Sequence, residues 1–295
     1  MHRTSPSVRA DSTARLAELE QHRPEWRAWL ALLGQAELEL DDAGWRTPIS
    51  DAEVDRIARG ALADAPLLHG RVLEVEPRRV QQLLLRFAAT AASGDVTGAE
   101  SFRGFRPSPD EAMRLLAAAV QQDPVAIQAL ADGTGIDRGA LTSIAHLAAF
   151  PLLQACGRLL EDRIPRSWIH GYCPICAAWP ILAERRGLDR TRRLRCGRCG
   201  GEWQVPWLCC IYCGEREHEQ LGSLVPDERG ERLNVETCST CRGFLKSVAT
   251  LQAIPPFELL LQDLETVELD LVALVRDYHR PEERGFRLEI QFGDF

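Results

Sequence analysis

Residues 194–214, LRCGRCGGEWQVPWLCCIYCG, hold two Cys-x-x-Cys pairs, Cys196/Cys199 and Cys210/Cys213, with ten residues between them. A third pair, Cys173/Cys176, precedes them in YCPICAA (172–178), and a fourth, Cys238/Cys241, follows in ETCSTCRGFLKSV (236–248). A two-residue spacer lets the chain turn around one ion so that two thiolates reach two corners of a tetrahedron, and a second such knuckle supplies the other two. The turn is tight, which favours a small residue after the second cysteine. Those followers are Ala177, Gly200 and Gly214, and Arg242 with Gly243 behind it.

Spacing suggests the grouping. Nineteen residues separate Cys176 from Cys196 and twenty-four separate Cys213 from Cys238, each enough for a knuckle, a hairpin and a knuckle. The ten residues between Cys199 and Cys210 suit a turn and one strand joining two ribbons. The sequence therefore predicts one site from the first two knuckles and a second from the last two, with interleaved and nested pairings still open. Eight of ten cysteines in such pairs, with no apolar h-region or small-residue cleavage site in the N-terminal residues and no secretory signal therefore expected, favour metal over disulfides or a thioredoxin-like redox motif, which needs a βαβ setting. Cys209 is a spare thiol or an alternative ligand, and Cys156 is a core residue. His170 and His218 flank knuckles but are not needed as ligands. They are expected on the surface.

The remainder of the 295 residues is ordinary globular sequence, 45% hydrophobic and 26% charged, and ample for two domains. The net charge of −8 argues against a duplex-DNA binder. Arginine supplies nearly all the positive charge, and Lys246 is the only lysine. Residues 1–165 carry helical periodicity. In 76–94 the positions Val80, Leu83, Leu84, Phe87, Ala88 and Ala91 share one face, with Gly94 as a stop. In 108–124 Ser108 can cap, Pro109 suits the first turn, and Asp110 and Glu111 suit the positive end of the dipole. Segments 23–40 and 50–66 are further helices, and six or seven are expected in an irregular bundle. The uncharged stretch 139–157 fits a buried helix pair better than a membrane span.

Short strands are expected in 192–196, 202–208, 232–238 and 243–251. A C-terminal amphipathic helix is expected over 254–279, with Phe257, Leu260, Leu261, Leu264, Val267, Leu271 and Val275 on its buried stripe. The predicted class is α+β: a helical domain (1–165), tandem four-cysteine ribbons (166–250), and a C-terminal helix packing back on the body (251–295). The segment FRLEIQFGDF (286–295) has no assignment. Seven arginines lie within 185–198. They solvate the ribbon or form a docking surface for an acidic partner or a nucleic acid. No phosphate-binding loop, dinucleotide fingerprint, zinc-protease motif or nucleophile elbow is present.

YCPICAAWP, LRCGRCGGEWQVPWLCCIYCG and ETCSTCRGFLKSV, preceded by helices and followed by an acidic amphipathic helix, resemble the formate dehydrogenase accessory protein family, FdhE. The likeness runs over about residues 20–280 and is most specific over 172–248. Knuckle order, Trp203 and the run Gly243 to Lys246 carry it. The resemblance implies a cytoplasmic, non-catalytic assembly factor with two rubredoxin-like sites. It implies two metal ions per chain, iron first and zinc as the alternative, held by Cys173, Cys176, Cys196, Cys199, Cys210, Cys213, Cys238 and Cys241. The implied partner is a formate dehydrogenase catalytic subunit, with self-association possible and neither a membrane span nor nucleic acid expected. The extra Cys209, Ala177 in place of a commoner glycine, and the C-terminal segment depart from the pattern. The alternatives are a zinc-ribbon nucleic-acid-binding protein and, more weakly, an electron-transfer enzyme.

Overall fold

In the computed structural model residues 6–60, 64–94, 98–226 and 232–293 are described. Contacts sort the chain into two compact units, residues 1–54, 70–156 and 288–295, and residues 55–69 and 157–287. These divisions differ from the changes of sequence texture near 165 and 250.

Among the described residues the first unit is built mainly of helices: α1 (Pro6–His22), α2 (Arg27–Glu39), the start of α3 (Asp51–Gly60), α4 (Pro77–Ser93), α5 (Pro109–Val120), α6 (Pro124–Thr134) and most of α7 (Arg138–Leu160). The six apolar positions of α4 are all buried, and α4 packs against α2 and α5. Ser108 and Glu111 form a reciprocal capping box on α5. Asp123, just before Pro124, caps α6 by accepting from the Val125 and Ala126 N–H groups. Ser108→Ala is expected to cost about 1 kcal/mol, measured by denaturant unfolding.

Two expectations change here. Residues 138–160 form one helix and not a pair. Pro151 sits inside it, and the burial of Phe150, Leu152 and Leu153 around it outweighs the lost hydrogen bond. Arg138–Arg163 is long and apolar enough to cross a membrane, yet 72% of its most apolar window is buried within the protein, as in a core helix. The unassigned C-terminal segment supplies Ile290–Phe292, a strand (β8) that pairs in parallel with β1 (Arg71–Leu73). Asp294, Phe295 and the expected continuation of the 50–66 helix through 61–63 lie outside the described residues.

The second unit is organised by one six-stranded sheet. Its strands are β2 (Leu182–Arg186), β3 (Thr191–Arg195), β4 (Glu202–Gln204), β5 (Leu221–Leu224), β6 (Leu233–Cys238) and β7 (Phe244–Thr250), in the order β4-β3-β2-β7-β6-β5. Each triplet, β2-β3-β4 and β5-β6-β7, is an antiparallel ribbon. The first strand of one ribbon lies parallel to the last strand of the other, with Ala183 opposite Ser247 and Arg186 opposite Thr250. The ribbons thus share a sheet instead of being joined by the 202–208 strand. Leu182, Leu233, Val235, Phe244, Val248, Leu259, Leu269 and Ala273 form its core.

The C-terminal helix is broken into α8 (Pro256–Glu265) and α9 (Val267–Val275) at buried Thr266, whose hydroxyl donates back to the Gln262 and Asp263 carbonyls. The break redirects the apolar face. Leu259, Leu269 and Ala273 are buried, whereas Leu271 and Val275, both expected on the buried stripe, are exposed. Lys246 takes the Asp263 carbonyl at 2.7 Å and pairs with Asp263 and Asp270 at 2.7 and 2.6 Å, while Arg280 bridges the same two carboxylates. The chain's one lysine is therefore an internal tie between β7 and the helices. Lys246→Met is expected to cost about 3 kcal/mol, toward the low end for a broken buried pair because Arg280 remains. Urea unfolding checks this, and amine-reactive reagents should reach Lys246 in the wild type only after this unit opens.

Candidate metal centres

Each knuckle has the same backbone. The N–H of its first cysteine donates to the carbonyl five residues on: Cys173 to Ala178, Cys196 to Gly201, Cys210 to Glu215 and Cys238 to Gly243, at 2.8–3.0 Å. That closure puts the residue after the second cysteine in the left-handed region, with φ of 63° at Ala177, 76° at Gly200, 78° at Gly214 and 58° at Arg242. Glycine adopts this freely. Arg242 is held there by donating to the Asp277 and Arg276 carbonyls and by lying over the Tyr278 ring.

The eight sulfurs gather into two groups, Cys173/Cys176/Cys196/Cys199 and Cys210/Cys213/Cys238/Cys241, and within each group all four lie within 4.8 Å of one another. The knuckles are thus grouped in sequence order. A tetrahedron with metal–sulfur bonds of about 2.3 Å has sulfur–sulfur edges of about 3.8 Å. Cys173–Cys199 and Cys176–Cys196 are 3.4 and 3.5 Å apart, and Cys210–Cys241 and Cys213–Cys238 are 3.6 and 3.8 Å apart. Both groups fit a four-coordinate ion and could hold two in all.

Backbone amides aim at the sulfurs, with Ile175 N–H on Cys173 and the Arg198 and Cys199 N–H groups on Cys196. Burial pushes the Cys173 and Cys199 thiols well up. Burial also acts on Cys196, but hydrogen bonds from Cys173, Cys176 and Cys199 outweigh it and hold that thiol low. In the second group burial pushes Cys241 up to about 11 and Cys210 further. A divalent ion makes four thiolates compatible with that burial and leaves a net charge of about −2.

The surroundings are close-packed in two places. At Gly157, in the last turn of α7, an added Cβ would lie 1.8 Å from the Cys199 carbonyl oxygen. At Gly171 it would lie 1.8 Å from the Ile211 carbonyl oxygen, in the third knuckle. The Leu67 and Leu68 N–H groups donate to the Pro174 and Ile175 carbonyls, holding the first knuckle from outside. Gly157→Ala meets backbone that cannot swing away, so a loss of about 3 kcal/mol is expected, with faster metal release from the first group in a chelator assay. Single glycines in otherwise regular sequence are a faint signal, and the roles of Gly157, Gly171, Leu67 and Leu68 were not legible.

The remaining candidates lie outside the groups. Cys209 is half-buried and donates weakly to the Cys210 carbonyl, and Cys156 is buried in α7. His218 is exposed. His170 is not a plain surface residue: it stacks on Tyr172 at 5.0 Å, and its carbonyl accepts the Trp203 indole N–H.

The arginine cluster is the main correction. Arg185, Arg192 and Arg195 are buried. Arg195 and Arg186 pair with fully buried Glu184, Arg186 also pairs with Glu202, and Arg192 pairs with Glu236 across the sheet. These charges tie strands together and do not form a docking face. Arg190 remains exposed, and Arg193 is partly so beside Glu202.

No protein-family model matches the chain. Curated FdhE homologues do: that of Aquifex aeolicus is 27% identical over 125 residues, covering 40% of each chain, and that of Haemophilus influenzae is 28% identical over 120 residues. The Pseudomonas aeruginosa homologue is 33% identical over 105 residues, covering 34% of each chain. The matched region thus spans two fifths or less of each of these relatives. The crystal structure of the FdhE protein from Pseudomonas aeruginosa superposes with a TM-score of 0.61 at 20% identity, over 96% of both chains, and so shows a common fold.

Proposed function

We propose that this chain is an FdhE-type protein, a non-catalytic accessory protein for the maturation of a formate dehydrogenase; its partial likeness to curated FdhE homologues and the fold it shares with an FdhE crystal structure support that reading. It binds the catalytic subunit in the cytoplasm. Two metal ions are held by Cys173, Cys176, Cys196 and Cys199 and by Cys210, Cys213, Cys238 and Cys241, iron in the first place and zinc as the alternative. Bound iron would add one-electron chemistry, whereas zinc would only cross-link.

The observation that carries the non-catalytic reading is the completeness of both groups. Four thiolates fill a tetrahedral shell and leave no position for a substrate, unlike catalytic sites with three protein ligands. The nucleic-acid alternative needs exposed cations, and three of the seven arginines are buried, two of them, Arg192 and Arg195, paired with Glu236 and Glu184. Deleting the gene is expected to abolish formate dehydrogenase activity while the subunit transcripts persist. Affinity capture from anaerobically grown cells should recover the catalytic subunit. Full activity in the deletion strain would overturn the accessory reading.

A further inference from the structure

The two centres differ in what can reach them. In the first, the four cysteines are 0–2% exposed. The Ile175 N–H lies 3.4 Å from the Cys173 sulfur, and a Cβ added to Gly201 would fall 3.3 and 3.5 Å from the Cys199 and Cys173 sulfurs. Gly157 closes on the Cys199 carbonyl, and the 67–68 backbone is bonded to the first knuckle. In the second, Cys213 is exposed and Cys241 is half-exposed. A Cβ on Gly214 would meet nothing within 4 Å. Cys210, Cys213 and Cys241 line a groove of about 960 Å³ together with Trp179, Tyr212 and Arg280. That volume is at the upper end of small-molecule sites.

We propose that the second centre is the exchangeable one, and that Cys213 is the corner at which small thiols and chelators enter. The proposal rests on the reading that each group holds an ion. Ligand exchange at a closed tetrahedral site requires one thiolate to leave. With an ion bound, Cys213 would be the ligand best placed to give way: its side chain lies at the surface, where it could take up the proton that an incoming thiol loses, so that one thiolate ligand would replace another with no change of oxidation state. In the first centre each sulfur is packed on all sides, and its departure requires the knuckle to open. The first centre then serves as a permanent cross-link, and the groove beside the second is the place where the metal meets other molecules.

The test uses the full chain purified without oxygen, with Cys209→Ser to remove the neighbouring thiol. Excess 4-(2-pyridylazo)resorcinol reports released iron or zinc by absorbance, while timed pulses of iodoacetamide are mapped by mass spectrometry. One equivalent is expected to leave at least tenfold faster than the other. Label in the fast phase should fall on Cys210, Cys213, Cys238 and Cys241, and only later on Cys173, Cys176, Cys196 and Cys199. Two equivalents released at one rate, or early label on the first four, would overturn the inference. Fewer than two equivalents at the start would instead count against the two-ion reading itself.

Discussion

Replacing Cys173 and Cys176 together by serine is expected to remove one metal equivalent and unfold the first ribbon, leaving the second equivalent bound. The strands of that ribbon, β2, β3 and β4, are three to five residues long, too short to hold a fold by their own burial. A structural ion in such a ribbon supplies roughly 10–16 kcal/mol, as much as the whole stability of an ordinary domain, about 5–15 kcal/mol. The Cys196/Cys199 pair should behave identically, because its sulfurs complete the same tetrahedron. The Cys210/Cys213 pair should remove the other equivalent. Some loss of order should also reach the neighbouring β7, because β2 lies beside it in the shared sheet. Helical dichroism should persist, since most helices belong to the other unit. Metal analysis and circular dichroism of the three double variants check this. A first-knuckle variant that matched the third-knuckle variant would break the grouping.

The second large effect is expected at Glu184. Its carboxylate is fully buried, pairs with Arg195 and Arg186, and accepts the Ile254 N–H at 3.1 Å. Arg195 is 3% exposed, and its burial already lowers its pKa. Removing the counter-charge leaves a buried guanidinium with Glu202 at 3.9 Å as its nearest remaining carboxylate, so Glu184→Leu should cost about 3–5 kcal/mol, against less than about 1 kcal/mol for an exposed pair. Adding Arg195→Met should recover much of the loss, because an apolar pair of similar volume needs no compensation. Denaturant unfolding of the two singles and the double gives the coupling. A loss below about 1 kcal/mol for Glu184→Leu would mean that the pair is not isolated from solvent.

The residues that were legible in the sequence are those whose signal is local. A two-residue spacer fixes a knuckle, and the hydrophobic spacing of 80–91 and the Ser108–Glu111 box fix α4 and the start of α5. Four strand segments were visible for the same reason. Pairing over long separations was not. Nothing near Ala183 announces that Ser247 will lie beside it, and Leu182–Arg186 has too many charges to look like a central strand until Glu184, Glu202 and Glu236 are placed against the arginines. The α8–α9 break was hidden because the apolar pattern continues through Thr266. Only the hydroxyl's bonds to the preceding turn and Lys246's claim on the Asp263 carbonyl end the helix there. Ile290–Phe292 is a strand because β1 is available to pair, and three residues alone carry no such message.

The central claim is that the eight paired cysteines hold two ions in two separate tetrathiolate centres. X-ray absorption and elemental analysis on one anaerobically purified sample test it most directly. The account predicts iron plus zinc totalling two equivalents per chain, each with about four sulfur neighbours at about 2.3 Å and no nitrogen or oxygen in the shell. One equivalent or fewer in fresh protein, or a shell with light-atom ligands, would contradict it.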